Sequence, residues 1–322
     1  MKKILIITNQ FIPHCSSIGG VIRVLSYAKF FSDRGAKVII ISQKNQFYNY
    51  FGYKDYLSNI SNILIPFNKN SNSVKIKQNY KKKNLLVKKI INFLKNILSC
   101  YGIDVASENY NQYKNLVNEN INKHKFDNVI ISGPPFSIFK LCLFIKKKYK
   151  NINIILDYRD SWNLRFNLNL FNFLSTHIIE KKVVNNVDYI TCATSKIKEK
   201  LDKKFYINHK TKLMANGFEV EIKKKFKPTN YKNKNTIIIG YFGLIDNNEN
   251  SYRDIKILKY FESLNQSNMN FKFKFYGNNS IDFNKPKNYE FYDAIDHSKA
   301  LLEMSKMDYL LTIHTDKKTV EE

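Results

Sequence analysis

Short, continuous apolar runs separated by stretches of helical periodicity fill the first two thirds of the chain. The runs at 4–8 (ILIIT), 38–42 (VIIIS), 129–132 (VIIS), 152–157 (INIILD), 189–193 (YITCA) and 212–215 (KLMA) predict strands. Their apolar residues do not alternate with polar ones, so both faces of each strand are buried, as in a parallel sheet covered by helices. The intervening segments 21–34, 138–149, 172–186 and 195–204 carry the helical period. The chain therefore reads as an α/β protein with a doubly wound sheet. Right-handed crossovers bring the loop after every strand to one edge, where ligands of such sheets bind.

Residues 45–125 break this alternation, being polar and rich in Asn, Lys and Tyr. Within them, 84–99 predicts an amphipathic helix with Leu86, Ile90, Phe93 and Ile97 on one face, preceded by Lys81, Lys82 and Lys83. Such a stripe either packs on its own domain or lies on an anionic lipid surface. The charged segment 221–235, which contains Pro228, reads as a linker. A second α/β series follows: strands at 237–242, 271–276, 289–292 and 309–314, with helices at 253–264 and 298–307. The expected organisation is a domain over 1–220, the linker, and a partial second domain over 236–322, whose 87 residues are few for a doubly wound nucleotide-binding domain.

Charge changes this picture less than its size suggests. Fifty-three Lys and Arg stand against 27 Asp and Glu, a formal balance of +26. It reflects either a lysine- and asparagine-rich composition or a phosphorylated, lipid or nucleic-acid partner. No zinc finger, RNA-recognition signature or helix-turn-helix is present, so specific nucleic-acid binding is not expected. The four cysteines (Cys15, Cys100, Cys142, Cys192) form no CxxC pair and have no His at ligand spacing. Neither a disulfide framework nor a metal site is expected, and a reducing, cytoplasmic compartment fits. The opening run is too short for a signal sequence, and no segment approaches a membrane span.

Candidate chemistry gathers in the loops after the strands. After the first strand come Gly19 and Gly20, then a helix carrying Arg23. Glycines permit close backbone approach and a helix start presents N–H groups to an anion, though an ordinary turn has the same sequence and GxGxxG is absent. Gly133-Pro134-Pro135 forces a turn at the ligand edge, with Ser137 placed to cap the next helix. The richest cluster is DYRDSW at 157–162, where Arg159, Asp160 and the only tryptophan, Trp162, follow an apolar strand. Asp160 could accept a hydroxyl or act as a base; it could also pair with Arg159. Thr194 and Ser195 read as a helix cap, and Asn216-Gly217 as an αL turn. In the second series, Gly243, Gly277 and Arg253 form a recipe for binding a diphosphate, though Arg253 could equally pair with Asp254 or Glu249.

In order, KILIITNQFIPHCSSIGGVIRV, VIISGPPFS, ILDYRDSW, VDYITCATS, MANGF, IIIGYFG with Arg253, and KFYG resemble the family-four glycosyltransferases of the GT-B fold. The likeness is to the branch that assembles bacterial surface polysaccharides, and it spans most of the chain except 45–125. It implies two Rossmann-like domains facing each other, the first holding a glycan or lipid-linked acceptor and the second a nucleotide-sugar donor. It also implies a retaining, metal-independent transfer with no cofactor beyond the sugar nucleotide. Gly19, Gly20, Gly243, Arg253 and Gly277 would face the donor, and Arg23, Pro135, Arg159, Trp162 and Asn216 the acceptor side. Asp160 would stand near the reacting centre. The family pattern continues past the strand at 309–314 into a Lys-x-x-Glu-Tyr-like helix that this sequence lacks; Glu321-Glu322 is not its equivalent. The second domain is thus expected to be incomplete, leaving either a transferase or a non-catalytic glycan- or lipid-binding remnant.

Overall fold

Lys3–Thr8 (β1) is buried from its second residue to its last, and it lies at the middle of a sheet. The computed structural model describes residues 2–15, 18–44, 60–66, 90, 94, 106–162, 170–217, 236–243, 270–277, 288–295 and 297–312. By its contacts the chain divides into two compact units, residues 1–217 and 218–321.

In the first unit, β1 is followed by a 3-10 turn (Ile18–Gly20), α1 (Ile22–Ser32), β2 (Lys37–Gln43) and β3 (Ile60–Ile65). Then come α2 (Tyr110–His124), β4 (Asn128–Gly133), a 3-10 turn (Phe136–Lys140), α3 (Leu141–Lys148) and β5 (Asn153–Tyr158). The unit closes with α4 (Leu170–Asn185), β6 (Tyr189–Cys192), α5 (Ser195–Phe205) and β7 (Thr211–Leu213). All strands pair in parallel, in the order β3-β2-β1-β4-β5-β6-β7. The order reverses direction between β1 and β4. Their loops leave toward opposite sides there and open a crevice at the carboxyl edge.

Each face of this sheet has its own core. On one face Leu5, Ile7, Val129, Ile131, Ile154 and Leu156 pack against α2, α3, α4 and α5 through Val117, Ile145, Val184 and Leu201. On the other, Ile4, Ile6, Val38, Ile40 and Ile130 meet Val24, Leu25 and Ala28 of α1. These strands have no polar face because helices cover both sides.

The second unit has β8 (Thr236–Phe242), β9 (Asn270–Tyr276), β10 (Tyr289–Tyr292), α6 (His297–Met304) and β11 (Tyr309–Leu310). Its strands are again parallel, in the order β10-β9-β8-β11, the start of a doubly wound sheet. Phe273, Phe275, Tyr241 and Tyr289 form its core on one face. On the opposite face, the rings of Phe242, Tyr276 and Tyr292 stack in a ladder, with centroids 4.7 and 4.6 Å apart.

Several sequence expectations change. The stretch read as an interruption contributes β3, an edge strand with mixed burial, and α2, whose 15 residues include five asparagines and little apolar content. Propensity and periodicity are weak in both; pairing with β2 and burial of Tyr113, Val117 and Ile121 fix them. Of the helix predicted over 84–99, Ile90 and Leu94 are described. Both are helical and about half exposed, and the rest lies outside the described residues. So do the linker at 221–235 and the helix predicted over 253–264. Ser137 does not cap a helix: it is buried inside the 3-10 turn, whose N-cap is Pro135. Thr194 does cap α5, its Oγ1 accepting from Ile197 N at 3.2 Å. Among the described residues, positive φ outside glycine falls on Lys125 and Tyr206, so Asn216 does not make the expected αL turn.

Candidate functional site at the carboxyl edge of the first sheet

Near the carboxyl ends of the central strands, one row of residues is polar and in register. Thr8 of β1 stands beside Ser132 of β4, Ser132 beside Asp157 of β5, and Asp157 beside Thr191 of β6. Residues two apart in a strand share a face, so this row continues the α1 side of the sheet where its apolar residues stop. Thr8, Ser132 and Asp157 have no solvent exposure. Asp157 is the hub: Ser132 Oγ donates to its Oδ2 and Thr191 Oγ1 to its Oδ1, both at 2.8 Å.

Helix α1 supplies the counter-charge. Arg23 Nε lies 3.1 Å from each Asp157 oxygen, and its Nη2 donates to Oδ1 at 2.8 Å. Tyr27, one turn on, donates its hydroxyl to the same Oδ1 at 3.1 Å. Arg23 Nη1 reaches Asn216 Oδ1 at 3.1 Å, past the end of β7. The pair is buried (side-chain exposure 6% and 0%), which would be costly for either charge alone. Burial pulls the Arg23 pKa down, but the hydrogen bonds and charge of Asp157 outweigh it and hold the guanidinium charged. Burial and the Asp157 charge push the Tyr27 phenol well above its ordinary value, so it stays a donor.

Arg159 does something different. Its Nε donates to Gly133 O at 3.1 Å, its Nη2 to Pro134 O and its Nη1 to Gly20 O. Its backbone N also donates to Gly133 O, at 3.1 Å. One side chain thereby joins the glycine turn before α1 to the Gly-Pro-Pro turn after β4, the two loops that flank the switch point. Burial lowers its pKa, with Asp157 and Asp160 opposing.

The structure brings Arg23 and Asn216 into one hydrogen-bond network with Asp157, Tyr27, Ser132 and Thr191, which sequence reasoning passed over, and separately joins Arg159 to Gly20. Gly19 is exposed at the same turn, and nothing lies within 4 Å of where its side chain would begin. Pro135 is half-buried at the head of the 3-10 turn. Asp160, the carboxylate singled out for chemistry, is exposed beyond the end of β5. Trp162 turns inward: 4% exposed, it stacks on Phe136 (5.3 Å, 9°) and meets Phe139 edge-on. Its Nε1 finds no acceptor among the described residues, and neither do Asn9 Oδ1 and His14 Nδ1 find donors in the loop after β1.

In the second unit, Gly243 and Gly277 follow β8 and β9. Gly243 N donates to Tyr276 O at 2.9 Å and Gly277 N to Tyr292 O at 3.1 Å, so both extend the ladder. Arg253 lies outside the described residues. Among those residues, no group of three or more His, Cys, Asp and Glu could hold a metal, and no helix is long and apolar enough to cross a membrane.

The sequence matches no family model, and no curated protein is significantly similar to it. Solved structures are similar in fold. A glycosyltransferase from Rickettsia africae ESF-5 superposes with a TM-score of 0.56 at 14% identity, over 97% of this chain and 73% of its own. For the E. coli trehalose-6-phosphate protein bound with UDP-2-fluoro glucose the values are 0.57 and 11%, over 94% and 76%. A putative UDP-N-acetylglucosamine 2-epimerase from Listeria monocytogenes gives 0.51 and 10%, over 96% and 74%. The chain is an α/β protein built from two Rossmann-like units of the GT-B fold.

Proposed function

We propose that the protein is a glycosyltransferase that takes its sugar from a nucleoside-diphosphate donor. The observation that carries this reading is a pairing of two arginine anchors at the switch point of a GT-B sheet, Arg23 on Asp157 and Arg159 on the carbonyls of Gly20, Gly133 and Pro134. It spends two guanidinium groups on fixing a glycine turn and a helix start at the edge where α/β sheets bind ligands. A helix start with no side-chain cap, as α1 has, offers N–H groups to a phosphate. The fold alone is shared by transferases and an epimerase, so the reaction must be argued from the site.

In this reading the glycine turn at Gly19-Gly20 faces the diphosphate, and Gly243, Gly277 and Arg253 serve the donor on the second unit. Side-chain cations and helix N–H groups stabilise the leaving diphosphate without a metal, and the anomeric configuration is retained. The exposed Asp160 is free to meet an acceptor hydroxyl, while the buried Asp157 is committed to Arg23. The acceptor is a glycan, carried on lipid during surface polysaccharide synthesis. The excess of lysine holds the protein peripherally at the cytoplasmic face of an anionic membrane. Isothermal calorimetry or saturation-transfer NMR with UDP, GDP and their sugar conjugates tests the donor. Binding of one nucleotide in the micromolar to millimolar range is expected, and binding of none would overturn the reading.

A further inference from the structure

We propose that Arg159 is a positioning residue that sets the peptide orientation of the Gly19–Gly20 turn by bracing it against the Gly133–Pro134 turn. This rests on the reading that the glycine turn faces a diphosphate. Three of the five N–H donors of the guanidinium fork go to backbone carbonyls from two loops, Gly20 on one side and Gly133 and Pro134 on the other. The carbonyls of Gly133 and Pro134 belong to peptides whose nitrogens are prolines, so each is an acceptor without a companion donor. No carboxylate pairs with Arg159 among the described residues, and Asp157 is taken by Arg23.

On the other side, Gly20 is exposed and nothing packs around the Cβ position of Gly19, so side-chain contacts do little to define this turn. The Gly20 carbonyl points at Arg159. In a trans peptide the N–H points the opposite way, so the bond to Arg159 turns the N–H of Val21, at the head of α1, away from the brace. The brace thereby fixes the turn that the proposed reading sets against the diphosphate. A lysine carries the same charge but cannot hold three carbonyls in a fixed plane.

The test uses the full chain with Arg159→Lys and Arg159→Gln, followed by amide hydrogen exchange and by calorimetry with UDP. Both variants are expected to exchange the amides of residues 18–22 at least about tenfold faster, with β4 and β5 unchanged. Both should bind UDP about tenfold more weakly, lysine no better than glutamine. Unchanged exchange at 18–22 in both variants overturns the brace, and so does lysine restoring full UDP affinity, because charge alone would then suffice. If the wild-type chain binds no UDP, the donor reading fails while the exchange measurement still decides the brace. Should Arg159→Gln not fold, Arg159→Lys alone carries both readouts.

Discussion

The Arg23 guanidinium is anchored to the Asp157 carboxylate through Nε and Nη2, and the two residues are 134 positions apart in the chain. Neither is on the surface. The contact fixes the rotation of α1 over the ends of β4, β5 and β6, and so the placing of the turn that precedes it. Replacing Asp157 by Asn leaves a buried cation facing a neutral amide. A cost of about 3–5 kcal/mol is expected in urea denaturation. Arg23→Met alone should cost a similar amount, and the double variant Arg23→Met, Asp157→Leu less than the sum. Additive losses would show that the two do not act as a pair.

Trp162 is the only tryptophan, so fluorescence reports on one position. Stacked on Phe136 and buried, it should emit to the blue of an exposed indole. Phe136→Ala should move the emission to the red and lower stability by about 3 kcal/mol. An emission maximum typical of exposed tryptophan in the wild-type chain would contradict the inward orientation.

Gly133 ends β4 against aromatic rings. A side-chain carbon placed there would lie 2.8 and 2.9 Å from two ring carbons of Phe139. A buried ring has little room to yield, so Gly133→Ala is expected to cost about 1–3 kcal/mol by overpacking. Gly19→Ala meets nothing and should leave the melting temperature unchanged. Differential scanning calorimetry of the two variants compares them directly.

Glu290 in β10 accepts hydrogen bonds from Lys272 and from the Tyr292 hydroxyl, which hold its carboxyl below the ordinary value of 4.5. For an acid with a depressed folded pKa, the stabilisation is full above the unfolded value and is lost as pH falls through the folded one. Hydrogen exchange in β9 and β10 should therefore separate wild type from Glu290→Gln at pH 6. The two should converge as the pH falls below 4.5 and Glu290 takes up its proton. A difference that persists at the acid end would assign the effect to packing instead of charge.

The central strands of the first sheet were legible in the sequence because each is an apolar run of the right length bounded by polar residues. The doubly wound class followed from their alternation with helices. Where those signals are absent the reading failed: β3 is a half-polar edge strand and α2 an asparagine-rich helix, and both owe their existence to neighbours far along the chain. The candidate site divided in the same way. Gly20, Arg159 and Asn216 in loops, and Arg23 at a helix start, stood out as residues of useful chemistry. Asp157 did not, although it lies at the carboxyl end of its strand as Thr8 and Ser132 do at the ends of theirs.

What the sequence by itself determined is the set of elements, the edge at which their loops gather and the residue types available there. Tertiary structure alone decided which carboxylate is buried and which is free. Parallel register places Ser132, Asp157 and Thr191 side by side, and the packing of α1 drops Arg23 onto them. Three residues farther on, past the end of the same strand, Asp160 meets water. Local sequence cannot separate the two, because burial of a charge depends on whether a distant partner arrives to neutralise it.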